Sequence, residues 1–301
     1  MSFSSEIKNE LCALDNIRPC CYHAQVYGLV LFAHFSNLNL SITTEHRSIY
    51  ELYCDSLRRY VGIEPETDES GIRKLTAYVV NETDKKKIFD KFGHTGNEAS
   101  LRINYANLAN ECCVSSFLRG VFLACGSVSD PNRTYHLEFV VPYKKLCNDL
   151  IKIIGELDLE PKYIQRKGNH IVYFKDSESI EDFLAYIGAQ NSSLYIMNVK
   201  IEKDIKNKVN RKLNFEYHNL DKTLSASKKQ IEAIKYIKGG AGFGVLPENL
   251  KEIALLRLEN PDDSLTDLAE MCDGRISKSG IKHRLDKIIQ IADDLKNSGE
   301  K

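Results

Sequence analysis

Near the C-terminal end, SKSGIKHRLDK crowds Lys278, Ser279, Lys282, His283, Arg284 and Lys287 into about ten residues. Ammonium and guanidinium groups neutralise DNA phosphates, and arginine or lysine can also read the acceptor edge of guanine. A second group lies in NKVNRKLN, where Asn207, Asn210, Arg211 and Asn214 follow i, i+3, i+4, i+7 spacing and so share one helix face. Asparagine is a mediocre helix former, so propensity does not explain three of them in one stripe. Its amide pairs with adenine edges, and Lys222 follows in the same basic stretch. The third group is sulfur. Two of the nine cysteines form the pair Cys20-Cys21 and two more the pair Cys112-Cys113. Helix neighbours point about 100° apart, so an adjacent pair chelates poorly, and no Cys/His set completes a site. Free cysteine is among the most buried residue types, so core packing is expected and no metal is assigned.

The elements that must hold these groups are legible nearby. LPENLKEIALLRLENP starts with Pro247 placed for a first helical turn and stops at Pro261. SLTDLAEM then opens with Ser264 and has Asp267 three residues on, a capping-box start to a short helix. Gly274 closes the turn in CDGR. The following helix repeats apolar residues at Ile281, Leu285, Ile288, Ala292 and Leu295, the spacing of one buried side. A short helix, a tight turn and a longer helix make a helix-turn-helix, whose second helix enters the major groove by its N-terminal part. The basic group sits on that part. GGAGFG (Gly239–Gly244) has the form of a phosphate loop but follows the helical QIEAIKYIK, so it is expected to stop a helix and act as a hinge.

Upstream the chain repeats itself. Cys20, Cys21, Gly28 and Leu31 recur at one fixed offset as Cys112, Cys113, Gly120 and Leu123. IFDKFG, ending at Gly93, is echoed by FLAYIG, ending at Gly188. Leu38–Thr44 and Tyr135–Val141 alternate as strands, and RKGNHIVYF suggests a hairpin turning at Gly168-Asn169. The expected fold class is α+β: residues 1–190 as a duplicated αββαββα domain with repeats at about 17–95 and 109–190. A basic helical connector and glycine hinge (191–245) and an all-α helix-turn-helix domain (246–301) follow.

Composition sets bounds. The 301 residues carry a formal net charge of -1 and are 28% charged. Residues 199–238, however, hold eleven Lys/Arg against five Asp/Glu, so a neutral total leaves nucleic acid open as a partner. An odd cysteine count without CxxC fits a reducing compartment. MSFSSEIKNELC lacks the apolar core of a signal peptide, and no window approaches the roughly 18 apolar residues of a membrane span. A cytoplasmic protein without membrane contact is expected.

LRGVFLACG (Leu118–Gly126) resembles the helix motif of the LAGLIDADG homing endonucleases, and Val26–His34 resembles a degenerate first copy. The resemblance implies two helices packed through small residues (Gly28, Gly120, Ala124), each ending in a carboxylate that holds magnesium. Ala33 and Cys125 occupy those two positions. Alanine has no ligand atom and a thiol is too soft for magnesium, so no catalytic residue and no cofactor are assigned. Asp130, in SDPN, has turn composition and no partner in the first half. The family's DNA saddle is half kept: Lys162, Gln165, Arg166, Lys167 and Asn169 suit phosphate, whereas Glu64, Glu66, Asp68 and Glu69 precede Arg73 and Lys74 in the first half.

Nearly the whole chain, in order, is similar to the bacterial WhiA regulators: MSFSSEIKNEL, the cysteine pairs, FLRGVFLACGSVSDP with YHLEF, NKVNRKLNFEYHNLDKT, and SLTDLAE with ISKSGIKHRL. The resemblance implies a nucleoid-associated, sequence-specific regulator of transcription. Its processes would be sporulation, or cell division and chromosome segregation. Double-stranded DNA would be its partner, and the N-terminal domain would meet RNA polymerase with its sigma factor, or a partner regulator. Two other readings stay open: a residual magnesium-dependent endonuclease, and an interaction platform that recruits transcription machinery.

Overall fold

The computed structural model describes residues 2–15, 18–35, 40–70, 74–98, 100–272 and 274–299. The chain divides into two compact units, residues 1–203 and 204–301.

In the first unit, helix α1 (Phe3–Cys12) precedes two copies of one order. The first copy runs α2 (Pro19–Phe32), β1 (His34–Phe35), β2 (Leu40–Thr44), α3 (Arg47–Ser56), β3 (Glu66–Asp68), β4 (Leu75–Val79) and α4 (Glu82–Phe92). The second runs α5 (Glu111–Cys125), β5 (Gly126–Val128), β6 (Leu137–Val141), α6 (Lys144–Gly155), β7 (Lys162–Arg166), β8 (Asn169–Phe174) and α7 (Ser177–Ile187). Each half closes an antiparallel four-stranded sheet, ordered β1-β2-β4-β3 and β5-β6-β8-β7. The αββαββα expectation holds in both halves.

Helices α2 and α5 form the seam. Every residue from Ala24 to Phe32 is buried, as expected of a helix that is apolar all round. Two glycines permit the approach, and they do so reciprocally. A methyl on Gly28 would collide with the Phe117 carbonyl and stand 3.1 Å from the Val121 amide. A methyl on Gly120 would collide with the Gln25 carbonyl and stand 2.8 Å from the Leu29 amide. These contacts interchange under the 92-residue offset that also relates Cys20 to Cys112, so the sequence repeat is a pseudo-twofold axis in space. The same offset pairs Tyr27 with Arg119. Tyr27 Oη accepts from the Asn104 amide at 2.7 Å, beyond the end of α4. Arg119 Nε donates to the Ile187 carbonyl at 2.7 Å, at the end of α7. Both of those helices stop at left-handed glycines, Gly93 and Gly188, which is what the two echoed motifs encode.

Strand burial follows the expected alternation. Leu137, Phe139 and Val141 face the core while Val140 is exposed. Leu38 lies outside the described residues, and β2 begins at Leu40. Two details differ from expectation. The β7–β8 turn is Lys167-Gly168, both at positive φ, while Asn169 already pairs with Arg166 in the ladder. A type I′ turn needs two such residues, so the lysine takes the position expected of glycine. Core packing holds fully for Cys113; Cys20 and Cys112 are half-buried but still pack against the core, and Cys21 is half-buried.

Polar ties fasten the segments that flank and join the copies. Glu10 on α1 accepts from the Asn191 and Ser192 amides at 2.8 and 3.1 Å. It thereby caps the first turn of α8 (Gln190–Gly239). Asp149, buried on α6, accepts from Arg102 Nε and Nη2 at 2.8 and 2.6 Å and from the Ile103 amide at 3.2 Å. Burial pushes this carboxyl up, but those donors and the Arg102 charge outweigh it and hold the group below its ordinary range. A depressed carboxyl stabilises the fold above its unfolded value, about pH 4, and that contribution is lost as pH falls through the folded value. Asp149→Asn should therefore flatten the acid limb of this unit's stability, measured as melting temperature across a pH series. An unchanged acid limb would remove Asp149 from the account.

In the second unit the later part of α8 packs with α9 (Glu248–Glu259), α10 (Leu265–Glu270) and α11 (Lys278–Gly299). Ile234, Ile237, Ile253, Leu268, Ile281, Leu285 and Ile288 fill its core. The capping box at Ser264 forms: its side chain accepts from Asp267, whose carboxylate accepts from the Ser264 amide at 2.9 Å. Pro247 is the residue before α9 and not its first turn. Among the described residues no helix is long and apolar enough to cross a membrane.

Candidate nucleic-acid interface

Helix α11 turns Ile281, Leu285, Ile288 and Ala292 inward, which fixes what it turns outward. Lys278, Ser279, Lys282, His283 and Lys287 are all exposed. By helical geometry Ser279, His283 and Lys287 lie on the side opposite the core and Lys282 on its flank. Ser279 shares a hydroxyl contact with Ser277 at 2.9 Å. Arg284 differs. It is half-buried and donates to the Asn249 carbonyl at 3.4 Å, so it braces α11 against α9. Asp286 is also exposed on the outward side; a carboxylate there suits a cytosine amino group but opposes phosphate.

The structure brings Lys222 and Lys278 together. They line one cavity with Thr223, Ser227, Gln230, Arg257 and Ser264, about 220 Å³ in volume. Sequence reasoning missed Ser227, Gln230 and Arg257. Ser227 Oγ donates to the Pro261 carbonyl, and Arg257 Nη1 donates to the Asp263 carbonyl at 2.7 Å and the Asn260 carbonyl at 3.2 Å. Together they fasten the loop that precedes α10. A lone arginine inside the apolar run ALLRL is the signal that could have found this. The cationic rim follows from that fastening, because it sets the start of α11 beside α8.

Asn207, Asn210, Arg211 and Asn214 are helical and exposed on one side of α8. The stripe is therefore accessible along its whole length.

The seam ends where the motif carboxylates would stand. Ala33, His34, Ala124, Cys125, Thr43 and Asn169 line a cleft of about 300 Å³ there, and among the described residues no acid lines it. Cys125 donates to the Val121 carbonyl at 3.4 Å, and burial pushes its thiol up to about 12. It stays protonated near neutral pH and is no magnesium ligand. Asp130 is not among the described lining residues; it accepts from the Asn132 amide and side chain at 2.9 and 3.0 Å, which holds its carboxyl low and closes a turn.

The two sheets present unlike outer faces. Register places Lys162, Arg166 and Asn169 on the solvent side of the second sheet and Gln165 opposite His170 on the other side; Lys167 is exposed in the turn. In the first sheet Glu66 and Asp68 take the equivalent solvent side, opposite Tyr78 and Thr76. Glu64 is bound by Arg58 and Glu69 by Arg47. Lys74 is exposed, and Arg73 lies outside the described residues. One outer face therefore carries cations, which suit phosphate, and the other carboxylates, which oppose it.

Comparison with known proteins agrees with this anatomy. Residues 114–206 match the family model of the WhiA LAGLIDADG-like domain, and residues 209–292 that of the WhiA C-terminal HTH domain. The chain is 37% identical to a "Probable cell division protein WhiA" of Alkaliphilus metalliredigens over 97% of its own length and 98% of the relative's. It is 38% identical to the protein of the same name from Ruminiclostridium cellulolyticum, over the full length of both. Among solved structures, full-length "DUF199/WhiA from Thermatoga maritima" superposes with a TM-score of 0.58 at 25% identity, covering 98% of this chain and 99% of that one.

Proposed function

The chain belongs to the WhiA family, and from that premise we propose that it is a sequence-specific regulator of transcription that binds duplex DNA and does not cut it. The single observation that carries this reading is the outward side of α11. Lys282 and His283 are exposed there, at the groove-entering part of a helix-turn-helix. Lys222 and Lys278 flank that side and supply sequence-independent attraction to phosphate. Asn207, Asn210, Arg211 and Asn214 extend the contact along α8. The relatives are named for cell division, so division genes are the proposed targets, with sporulation and chromosome segregation as allied processes. The proposed location is the nucleoid. The N-terminal unit is the proposed surface for RNA polymerase with its sigma factor, or for a partner regulator.

Loss of cleavage follows from the seam cleft. Stabilising charge on a scissile phosphate needs hard oxygen ligands for magnesium, and Ala33 and Cys125 supply none. Supercoiled plasmid incubated with the full chain and magnesium should stay uncut while it is bound and shifted, and Asp130→Ala should change neither result. Magnesium-dependent nicking abolished by Asp130→Ala would restore the endonuclease reading. Deleting residues 1–190 separates binding from regulation: DNA affinity should persist while transcriptional control is lost.

A further inference from the structure

We propose that Cys20, Cys21, Cys112 and Cys113 form a thiolate site for one zinc ion at the paired N-terminal ends of α2 and α5. The Sγ atoms of Cys20, Cys112 and Cys113 all lie within 4.8 Å of one another. Cys20 and Cys112 are 4.0 Å apart across the pseudo-twofold axis. Cys21 Sγ donates to the Cys112 carbonyl at 3.6 Å. Tetrahedral zinc at a Zn–S distance of about 2.3 Å sets its sulfurs roughly 3.8 Å apart. The three mutually close sulfurs thus need to contract by only about an ångström, and Cys21 would turn from the Cys112 carbonyl to complete the set. Adjacent cysteines on one helix diverge too far to chelate alone. The duplicated seam removes that objection, because each helix needs to supply only its half of the set.

The surroundings supply positive charge for a thiolate-bound metal. Cys20 and Cys112 sit in the first turns of their helices, where free amides and the helix dipole stabilise negative charge. The Arg18 guanidinium lies beside Cys112 in a shared depression. A zinc ion with four thiolates carries a net charge of -2, which two helix N-termini and a guanidinium offset. On binding, each thiol gives its proton to water, and no electron moves. A shallow depression lined by Arg18, Cys20, Asn110, Glu111 and Cys112 opens the cluster to solvent. Soft sulfur selects zinc over magnesium or calcium, so this site is chemically separate from the vanished nuclease site at the other end of the same two helices.

The full-length chain, reduced and stripped of metal with a chelator, is titrated with cobalt(II). We expect one equivalent to bind, with thiolate-to-cobalt charge transfer in the near ultraviolet and the intense visible bands of a tetrahedral thiolate complex. One equivalent of zinc should displace them. Cys20→Ser with Cys112→Ser should abolish the bands and weaken binding on the order of 100-fold or more, since even outer-shell partners are worth 10–100-fold. Cys147→Ser, away from the cluster, should keep them, and circular dichroism establishes that each variant is folded. Three results would overturn the proposal: an aqua-cobalt spectrum with the wild-type chain, bands retained in the double variant, or a Cys20–Cys112 disulfide in place of metal binding.

Discussion

Gly120→Ala should destabilise the N-terminal unit by about 3 kcal/mol, the upper part of the range for overpacking a close-packed site. Two effects oppose each other. Alanine is the better helix former by about 1 kcal/mol. Its methyl, however, would meet the Gln25 carbonyl and the Leu29 amide, and those are backbone atoms of α2 that no rotamer change can move aside. The clash wins. For a unit of about 200 residues, 3 kcal/mol lowers the melting temperature by roughly 6–12 °C. Gly28→Ala should behave alike, because its methyl would meet the Phe117 carbonyl. Gly155→Ala is the control: it has nothing within 4 Å and should be neutral or slightly stabilising. Calorimetry of the full chain reads all three. Equal melting of Gly120→Ala and Gly155→Ala would mean that the seam is looser than these contacts require.

Lys282→Ala with His283→Ala should weaken specific DNA binding on the order of 100-fold while leaving non-specific affinity nearly intact. A lost base contact costs about 1–3 kcal/mol, and 1.4 kcal/mol is a factor of ten. The side chains are exposed, so the loss reads recognition and not stability. Arg284 is the poorer choice for this test despite its charge, because it braces α11 against the Asn249 carbonyl. Lys222→Ala should act differently. A phosphate contact carries no sequence information, so affinity should drop for all duplexes alike and the salt slope should shrink by about one. Fluorescence anisotropy across a salt series distinguishes the two. An unchanged specific affinity in the double variant would move recognition off α11.

Much of this was legible in the sequence because it is local or periodic. The fixed offset of Cys20, Cys21 and Gly28 to Cys112, Cys113 and Gly120 announced a doubled helix, and Gly93 and Gly188 announced the matching ends of α4 and α7. The capping box at Ser264 and the apolar spacing of Ile281 to Leu295 drew the helix-turn-helix. What stayed hidden depends on contacts between distant residues. The thiols converge only because the pseudo-twofold axis brings helix starts 92 positions apart together. The cavity shared by Lys222 and Lys278 depends on Arg257 and Ser227 fastening an intervening loop, which no periodicity encodes. The turn at Lys167-Gly168 was displaced by one residue because a lysine accepts positive φ there. Asp286 was visible as a residue, but its place among the cations needed the orientation of the helix.

Selection of bound sequences from a random duplex library tests the central claim most directly, using the full chain and its Lys282→Ala, His283→Ala form side by side. The account predicts that the wild-type chain enriches one motif and that the variant enriches none, or a different one, at comparable protein recovery. Enrichment of the same motif to the same extent by both would contradict it.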